Sequence, residues 1–404
     1  MSHDHDDMLA RPAAIERVLD VRRELLDGRP TEAVPLDRID GRTLAEAVVA
    51  DRDRPPHSHA TMDGFAFDAT DDYPLTLVDR EVFPEDDPGS IGEGEAVRIA
   101  TGAPLPEGAN AVLKREQSVV ENGHLDGADL DPGTYTYEQG SNLRAGETLF
   151  EAGERLSPKD AILLGDLGHD TVSAYERFSV GLLATGTEIH EGRHSDLDSP
   201  MLAGLVESWG HDPTYEGTVP DDFDRVRDRI DELAAAHDVV ISTGGTSVGH
   251  KDHVITALSN LGEVRFHRVA IRPGKPIAVA WLPNHDAAVV AIPGKPIGAH
   301  TIAILVARPL FAHETHMATV DATLARDVGI GPAGFEYAVP ITFEDGEAMP
   351  LGQQDSALSV YTDTFDPSVL SSSTRASRAD GFFLTETDRT AGETVAVVPY
   401  PVLE

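Results

Sequence analysis

Cysteine is absent from the chain, which excludes disulfides, thiol nucleophiles and thiolate metal sites. Positive charge is scarce: 32 Lys and Arg stand against 70 Asp and Glu, for a net charge of −38. A surface of that sign repels nucleic acid and anionic membrane, so neither is an expected partner. Nor does any run approach the roughly 18 consecutive apolar residues of a membrane span. The N-terminal MSHDHDDML is polar and acidic, unlike a secretory leader, and a cytoplasmic location is expected. Its His3-Asp-His-Asp-Asp could catch a transition metal, but a frayed terminus explains it as well.

What is present points to a folded, multidomain protein. Apolar residues make up 40% of the 404, too many for a disordered acidic chain and too long a chain for one ordinary core. Lysine is rarer than arginine and carboxylates dominate both, a balance expected of a protein adapted to high salt, where repulsion is screened over a few ångströms. An ordinary acidic cytosolic protein is the alternative.

The hydrophobic periodicity predicts a helix over Ile15–Leu26 stopped by Gly28, a short extended piece at Ala33–Leu36, and a second helix over Gly41–Ala50. From Arg52 the texture changes to short strand-like runs separated by Pro, Gly and Asp, a β-rich module ending near Tyr137. A helix over Pro158–Leu167 follows. From Phe178 strands and helices alternate: strand 178–184, helices Ser199–Trp209 and Asp222–His237, strand 238–242 and helix 250–261. Strands near 264–270, 277–282 and 287–292 and a helix over about Lys295–Ala312 complete the region. Such alternation predicts a mostly parallel sheet wrapped by helices, with ligands at the carboxyl ends of the strands. Beyond Thr319 short strands such as 336–343, 381–384 and 393–399 predict a small barrel.

The chemistry concentrates in the loops of the alternating region. In DVVISTGGTSVGHKD (238–252) a strand runs into a turn whose two glycines let backbone approach a ligand, ahead of a helix start. Free N–H groups, the positive end of a helix dipole and hydroxyls together suit an anion. Thr185-Gly-Thr-Glu188, Arg272-Pro-Gly-Lys275-Pro and Pro293-Gly-Lys295-Pro supply further turns and cations. Glu188, Asp221 and Asp252 add acidic oxygens suited to a bridging Mg²⁺.

The order of these pieces resembles the molybdopterin molybdenumtransferase family, which includes the C-terminal domain of gephyrin. PPHSHATMDGFAF (55–67), RIATGAPLPEGANAV (98–112), GSNLRAGE (140–147), LLATGTEI (182–189), DVVISTGGTSVGHKD, VAIRPGKP (269–276) and IPGKP (292–296) carry the likeness. It implies a multidomain α/β plus β fold. An elongated helical domain would be built from 1–51 and 138–174, with an inserted β-rich domain at 52–137. A doubly wound molybdopterin-binding α/β domain would span 175–318, and a C-terminal β-barrel 319–404. It also implies a homodimer with a shared cleft, and insertion of molybdate into adenylylated molybdopterin with Mg²⁺ and release of AMP.

By motif, Asp63 and Thr101 would face the partner's cleft, and Glu188, Asp221 and Asp252 would serve as catalytic or Mg²⁺-binding carboxylates. Gly244, Gly245, Ser247 and Gly249 would hold the phosphate side of the pterin, and Arg268, Arg272 and Lys275 would meet phosphate or molybdate. Pro293, Lys295 and Pro296 would shape the last loop. Blander roles stand beside these: Asp63 as a turn former, Thr101 as a loop cap, Asp221 as the N-cap of the helix from Asp222, Arg268 as a surface strand residue.

Several positions depart from the family's pattern. Lys295 stands for the usual Asn, Thr148 for Asp, Ala60 for Ser and Pro200 for Asn, while Arg268 and Arg272 replace lysines. Arg keeps the charge but exchanges a point donor for a planar fork. A non-catalytic pterin-binding scaffold, or an enzyme inserting tungstate, are the alternatives these changes leave open.

If −38 of net charge is held compact by screening, thermal stability should rise steeply from low to molar KCl. Melting followed across that series checks this, and a midpoint independent of salt removes the halophilic reading.

Overall fold

The computed structural model describes residues 8–245, 253–354, 356–362 and 364–404. The chain forms two compact units. One comprises Met1–Ala45, Gly153–Ile162 and Asp170–Glu404, the other Glu46–Ala152 and Leu163–His169.

The second unit is built on a six-stranded sheet in the order 111–114, 64–67, 95–99, 75–82, 124–127, 118–121. Alternation along its strands buries Ala66, Val97, Ile99 and Val112 on one face and Phe65, Phe67, Ala96 and Leu113 on the other. The sheet thus has apolar cover on both sides.

In the first unit, helix α1 (Arg11–Leu26) precedes a sheet of β1 (Ser179–Thr185), β2 (Asp212–Val219), β3 (Val239–Thr243), β4 (Glu263–His267), β5 (Ala278–Leu282) and β6 (Ala287–Ile292), in the spatial order β2-β1-β3-β6-β5-β4. The first four in that order run parallel; β5 is antiparallel to both its neighbours, β6 and β4. β3 and β6 are buried throughout, as near-continuous apolar runs in a sheet covered on both faces should be. Leu182, Val239, Ile241 and Val290 face α1 and the helices near 200 and 300. Leu183, Val240 and Val289 face helices Phe223–Ala234 and His253–Leu261. In the first of that pair Val226, Ile230 and Leu233 bury the inward stripe, and Asp222 caps the start by accepting from Arg225 N at 3.0 Å.

Strands Val320–Leu324, Glu336–Glu344, Glu347–Pro350, Gly381–Thr385 and Thr394–Pro399 close into a five-stranded barrel. The two-residue strand Ile271–Arg272 pairs with its Glu336–Tyr337 edge, which fixes Arg272 against the barrel.

Two expectations are corrected. Gly41–Ala50 is not helical; its backbone bonds reach distant partners, Leu44 N to Glu154 O at 2.9 Å and Ala45 N to Ser173 O at 3.0 Å, and Val48–Val49 pairs with Thr148–Phe150. Tertiary pairing overrides local period there. The strand Asp212–Val219 was not anticipated, because this edge strand is mostly half-exposed and carries no clean alternation.

Two polar groups inside the core are well paired. Arg22 donates to the carbonyls of Leu310 and Phe311 and to Thr43 Oγ1, so a buried guanidinium satisfies the end of helix Arg308–Ala312. His211 stacks on Phe178 with centroids 4.6 Å apart, accepts at Nδ1 from Phe178 N, and donates from Nε2 to Phe311 O. Burial, then the charges of Arg22, Arg29 and Arg177, push its pKa down to about 3 against a weaker upward pull from Phe311 O.

A lowered histidine pKa gives stability that is complete above the unfolded value of 6.5 and is lost as pH falls below it. The loss should reach about 2 kcal/mol by pH 5, from roughly 1.4 kcal/mol per unit. Urea unfolding of the parent and of His211→Gln at pH 7 and 5 checks it; the variant should show the flatter pH dependence.

Candidate functional site

Strand ends β1, β3 and β6 lie side by side at one edge of the sheet, and three turns leave them. Thr185 Oγ1 at the end of β1 donates to Thr243 O at the end of β3, 2.8 Å away. Gly244 N donates to Ile292 O at 3.0 Å, tying the β3 turn to β6. Gly244 and Gly245 have φ of 81° and 64°, a region that side chains rarely adopt. A methyl group on Gly294 would lie 3.1 Å from Gly244 Cα. Glycine is required here by backbone-to-backbone approach. Ser247, Gly249 and Asp252 lie outside the described residues.

Beside these turns the structure brings in a carboxyl group that sequence reasoning missed. Asp198 opens helix Asp198–Ser208 and is only 5% exposed. Its Oδ2 would lie 3.9 Å from a methyl on Gly294, while Oδ1 finds no partner among the described residues. Asp196 Oδ1 accepts from the Asp198 and Ser199 amides at 3.1 and 3.0 Å. Burial first, then the charge of Asp196, push Asp198 up to about 6. An Asp at a helix start reads in sequence as a cap; only its burial separates it from one.

Glu188 and Asp221 are exposed neighbours on the adjoining loops. Thr187 N donates to Asp221 Oδ2 at 3.4 Å and Asp221 N to Thr187 Oγ1 at 3.1 Å, so Asp221 faces the start of the short helix Thr187–His190. The cap of the helix from Phe223 is Asp222.

A cavity of about 260 Å³ opens where the Arg272–Pro276 and Pro293–Lys295 loops meet residues Pro367–Ser371. Arg272, Lys275 and Lys295 line it. Lys295 Nζ donates to Ser368 O at 3.1 Å, and the Arg272 guanidinium lies 4.2 Å from the Phe335 ring centre. Arg268 is not in its lining. It follows β4 with φ of 76° and donates its amide to Ile277 O. Pro296 lines a neighbouring cavity.

In the other unit, Asp63 and Thr101 meet directly. Asp63 Oδ1 accepts from Thr101 N and Oγ1, both at 2.7 Å, and these bonds hold the carboxyl below its ordinary pKa. The pair presents an ionised carboxylate on an exposed turn.

Three adjacent strand ends with glycine turns, acidic oxygens and a cationic cavity describe an oxyanion site. The family models agree on its kind. Residues 10–168 match the MoeA N-terminal region (domain I and II), and 181–313 match a probable molybdopterin binding domain. A molybdopterin molybdenumtransferase of Synechococcus elongatus is 31% identical over 323 residues, 75% of this chain and 80% of that protein. The chain belongs to the molybdopterin molybdenumtransferase family. A relative of that name in Haemophilus influenzae is 28% identical over 94% of this chain and 97% of its own. The crystal structure of a molybdopterin biosynthesis MoeA protein from Pyrococcus horikoshii superposes with TM-score 0.67 at 26% identity, covering 98% and 99% of the two chains.

Among the described residues no three His, Cys, Asp or Glu side chains cluster closely enough to hold a metal by themselves. Magnesium does not require that, since one or two carboxylates, water and substrate phosphates suffice. The unpartnered Asp198 oxygen fits such a donor set.

A carboxyl whose folded pKa is raised costs stability wherever it is ionised. The penalty grows as pH rises from the unfolded value of 3.8 toward about 6 and is complete above that. Asp198→Asn should therefore be more stable than the parent by roughly 2–3 kcal/mol at pH 7, the two converging near pH 4. Chemical unfolding at both pH values measures this, and equal stability at pH 7 contradicts it.

Proposed function

We propose that the protein inserts molybdate into adenylylated molybdopterin and releases AMP, in molybdenum cofactor biosynthesis. The observation that carries the reading is charge segregation. A chain of net charge −38 gathers Arg272, Lys275 and Lys295 around one cavity, and the loop that carries Lys295 packs through Gly294 against the Gly244 turn. The reaction sets a pyrophosphate link beside a second oxyanion. Like unit charges 4 Å apart repel by about 4 kcal/mol at an effective dielectric near 20, so the site needs local cations to offset that. The glycine turn after β3 suits the phosphates, and the reading assigns Ser247 and Gly249 to them as well. Arg272, stacked on Phe335, and Lys275 receive molybdate or phosphate oxygens, and the reading assigns Arg268 to the same anions. Pro293 and Pro296 bracket Lys295.

Magnesium, held by carboxylates from Glu188, Asp221, Asp252 and Asp198, would polarise the pyrophosphate. The protein's own part is to hold the two anions in contact, to fix the carboxylates around them, and to stabilise charge growing on the departing AMP. Asp63 and Thr101 lie far in sequence from these loops, and the reading assigns them to the cleft of a second copy. A homodimer with shared clefts, working in the cytoplasm, completes it.

The test is AMP release from adenylylated molybdopterin with molybdate, run in parallel with tungstate. Arg272→Ala should weaken apparent molybdate affinity by about 10- to 100-fold, the range of a lost charge-assisted hydrogen bond. Asp252→Asn should mainly slow release and blunt its Mg²⁺ dependence, and Lys295→Asn should keep turnover while shifting molybdate affinity. Mixing Asp63→Asn with Asp252→Asn subunits should recover activity that neither has alone. Release at the parent rate by Asp252→Asn, or an active monomer in light scattering, overturns the corresponding part.

A further inference from the structure

A second cavity of the first unit is larger than the cationic one. About 510 Å³ opens on the other side of the helix Pro296–Ile302, within the roughly 300–1,000 Å³ of small-molecule sites. Its position relative to the candidate site is fixed by covalent neighbours. Leu197, on its wall, precedes the buried Asp198, and Pro296, also on its wall, follows Lys295. The wall of this cavity is thus continuous in sequence with Asp198 and Lys295 of the candidate site.

The chemistry of its lining differs from that of its neighbour. Leu197, Met201, Ile297 and Ala379 give it apolar walls. One side is rigid: the Tyr400 ring packs against His300 at 5.1 Å and Phe382 at 5.4 Å. Its charged groups are chiefly acidic. Glu404 accepts from His300 Nε2 at 2.7 Å through Oε1, and Asp380 accepts from Phe343 N at 2.7 Å through Oδ2. Each carboxylate therefore keeps an oxygen that no described group engages through these bonds, held by a partner that fixes the other. Ser377 and Thr374 add hydroxyls at the mouth.

An anion is excluded from such a cavity by the carboxylates. Apolar walls call for a flat ring, and ionised carboxylates, which only accept hydrogen bonds, call for an edge of N–H donors. A 2-amino-4-oxopteridine presents the ring N3–H and the 2-amino group side by side as two donors. Adenine presents its amino group beside a ring nitrogen that is an acceptor, which a carboxylate cannot satisfy. The geometry points to this cavity as the pterin subsite, with Asp380 or Glu404 reading the donor edge and the phosphate-bearing side chain directed past Leu197 to the Gly244 turn. This rests on the proposed function for the identity of the substrate, and adds where its ring sits and what selects it.

The test uses 6-hydroxymethylpterin, which fluoresces and carries no phosphate, titrated into the full-length protein. Binding should weaken at least tenfold in Asp380→Asn and in Ser377→Trp, an exposed position where the indole fills the mouth without entering the core. Molybdate binding, followed by calorimetry, should be unchanged in both, and adenosine should not compete with the pterin. A parent that does not bind the pterin, a pterin affinity untouched by Ser377→Trp, or displacement by adenosine overturns the assignment. Failure of AMP release in a parent that binds pterin with the predicted variant response overturns the catalytic reading alone.

Discussion

Backbone approach between the turns after β3 and β6 is the constraint on which the site depends. Gly244 and Gly294 come within the width of a methyl group, and Gly244 N is bonded to the end of the neighbouring strand. That approach brings the Asp198 carboxyl to the β6 turn and the Pro293–Lys295 loop to the β3 turn. It also sets the root of the helix Pro296–Ile302, whose opposite sides line the cationic and the acidic cavities. Side chains at either glycine would push these elements apart before any ligand arrived.

One helix separates two cavities of opposite character, one lined by cations and the other by apolar side chains and carboxylates. The cationic one is small and open, fixed by Lys295 on Ser368 and Arg272 on Phe335. The second is larger, with aromatic packing behind it. Field and shape, rather than a single strong contact, set the two apart. Mutating one should leave the other's chemistry in place, because the helix between them is buried along most of its length.

The alternating α/β region and the barrel were legible because their strands are short apolar runs between turn formers, and β3, β5 and β6 are buried from end to end. The glycine turns and Pro-Gly-Lys-Pro loops were legible as places of close approach, because glycine there admits backbone contact and the cations share one cavity. Gly41–Ala50 was misread since its apolar spacing suits a helix while most of its hydrogen-bond partners lie roughly 100 residues or more away. Asp198 stayed hidden for a different reason: its significance is burial and an unsatisfied oxygen, neither of which a sequence displays. The same holds for Asp221, whose bonds with Thr187 rather than Asp222's helix became visible only with coordinates.

The buried Arg22 links the first helix to carbonyls of Leu310 and Phe311, 288 and 289 residues further on. On a ribosome adding roughly 5–20 residues per second, the guanidinium waits on the order of 15–60 s for its acceptors to be made. Until then the apolar stripe of α1, Val18, Val21 and Leu25, has no finished core to enter. The inserted unit, whose six-stranded sheet lies wholly between residues 64 and 127, meets no such delay. Synthesis therefore produces a completed small unit first, trailed by an exposed helix that must be kept from foreign surfaces until the second half of the chain emerges.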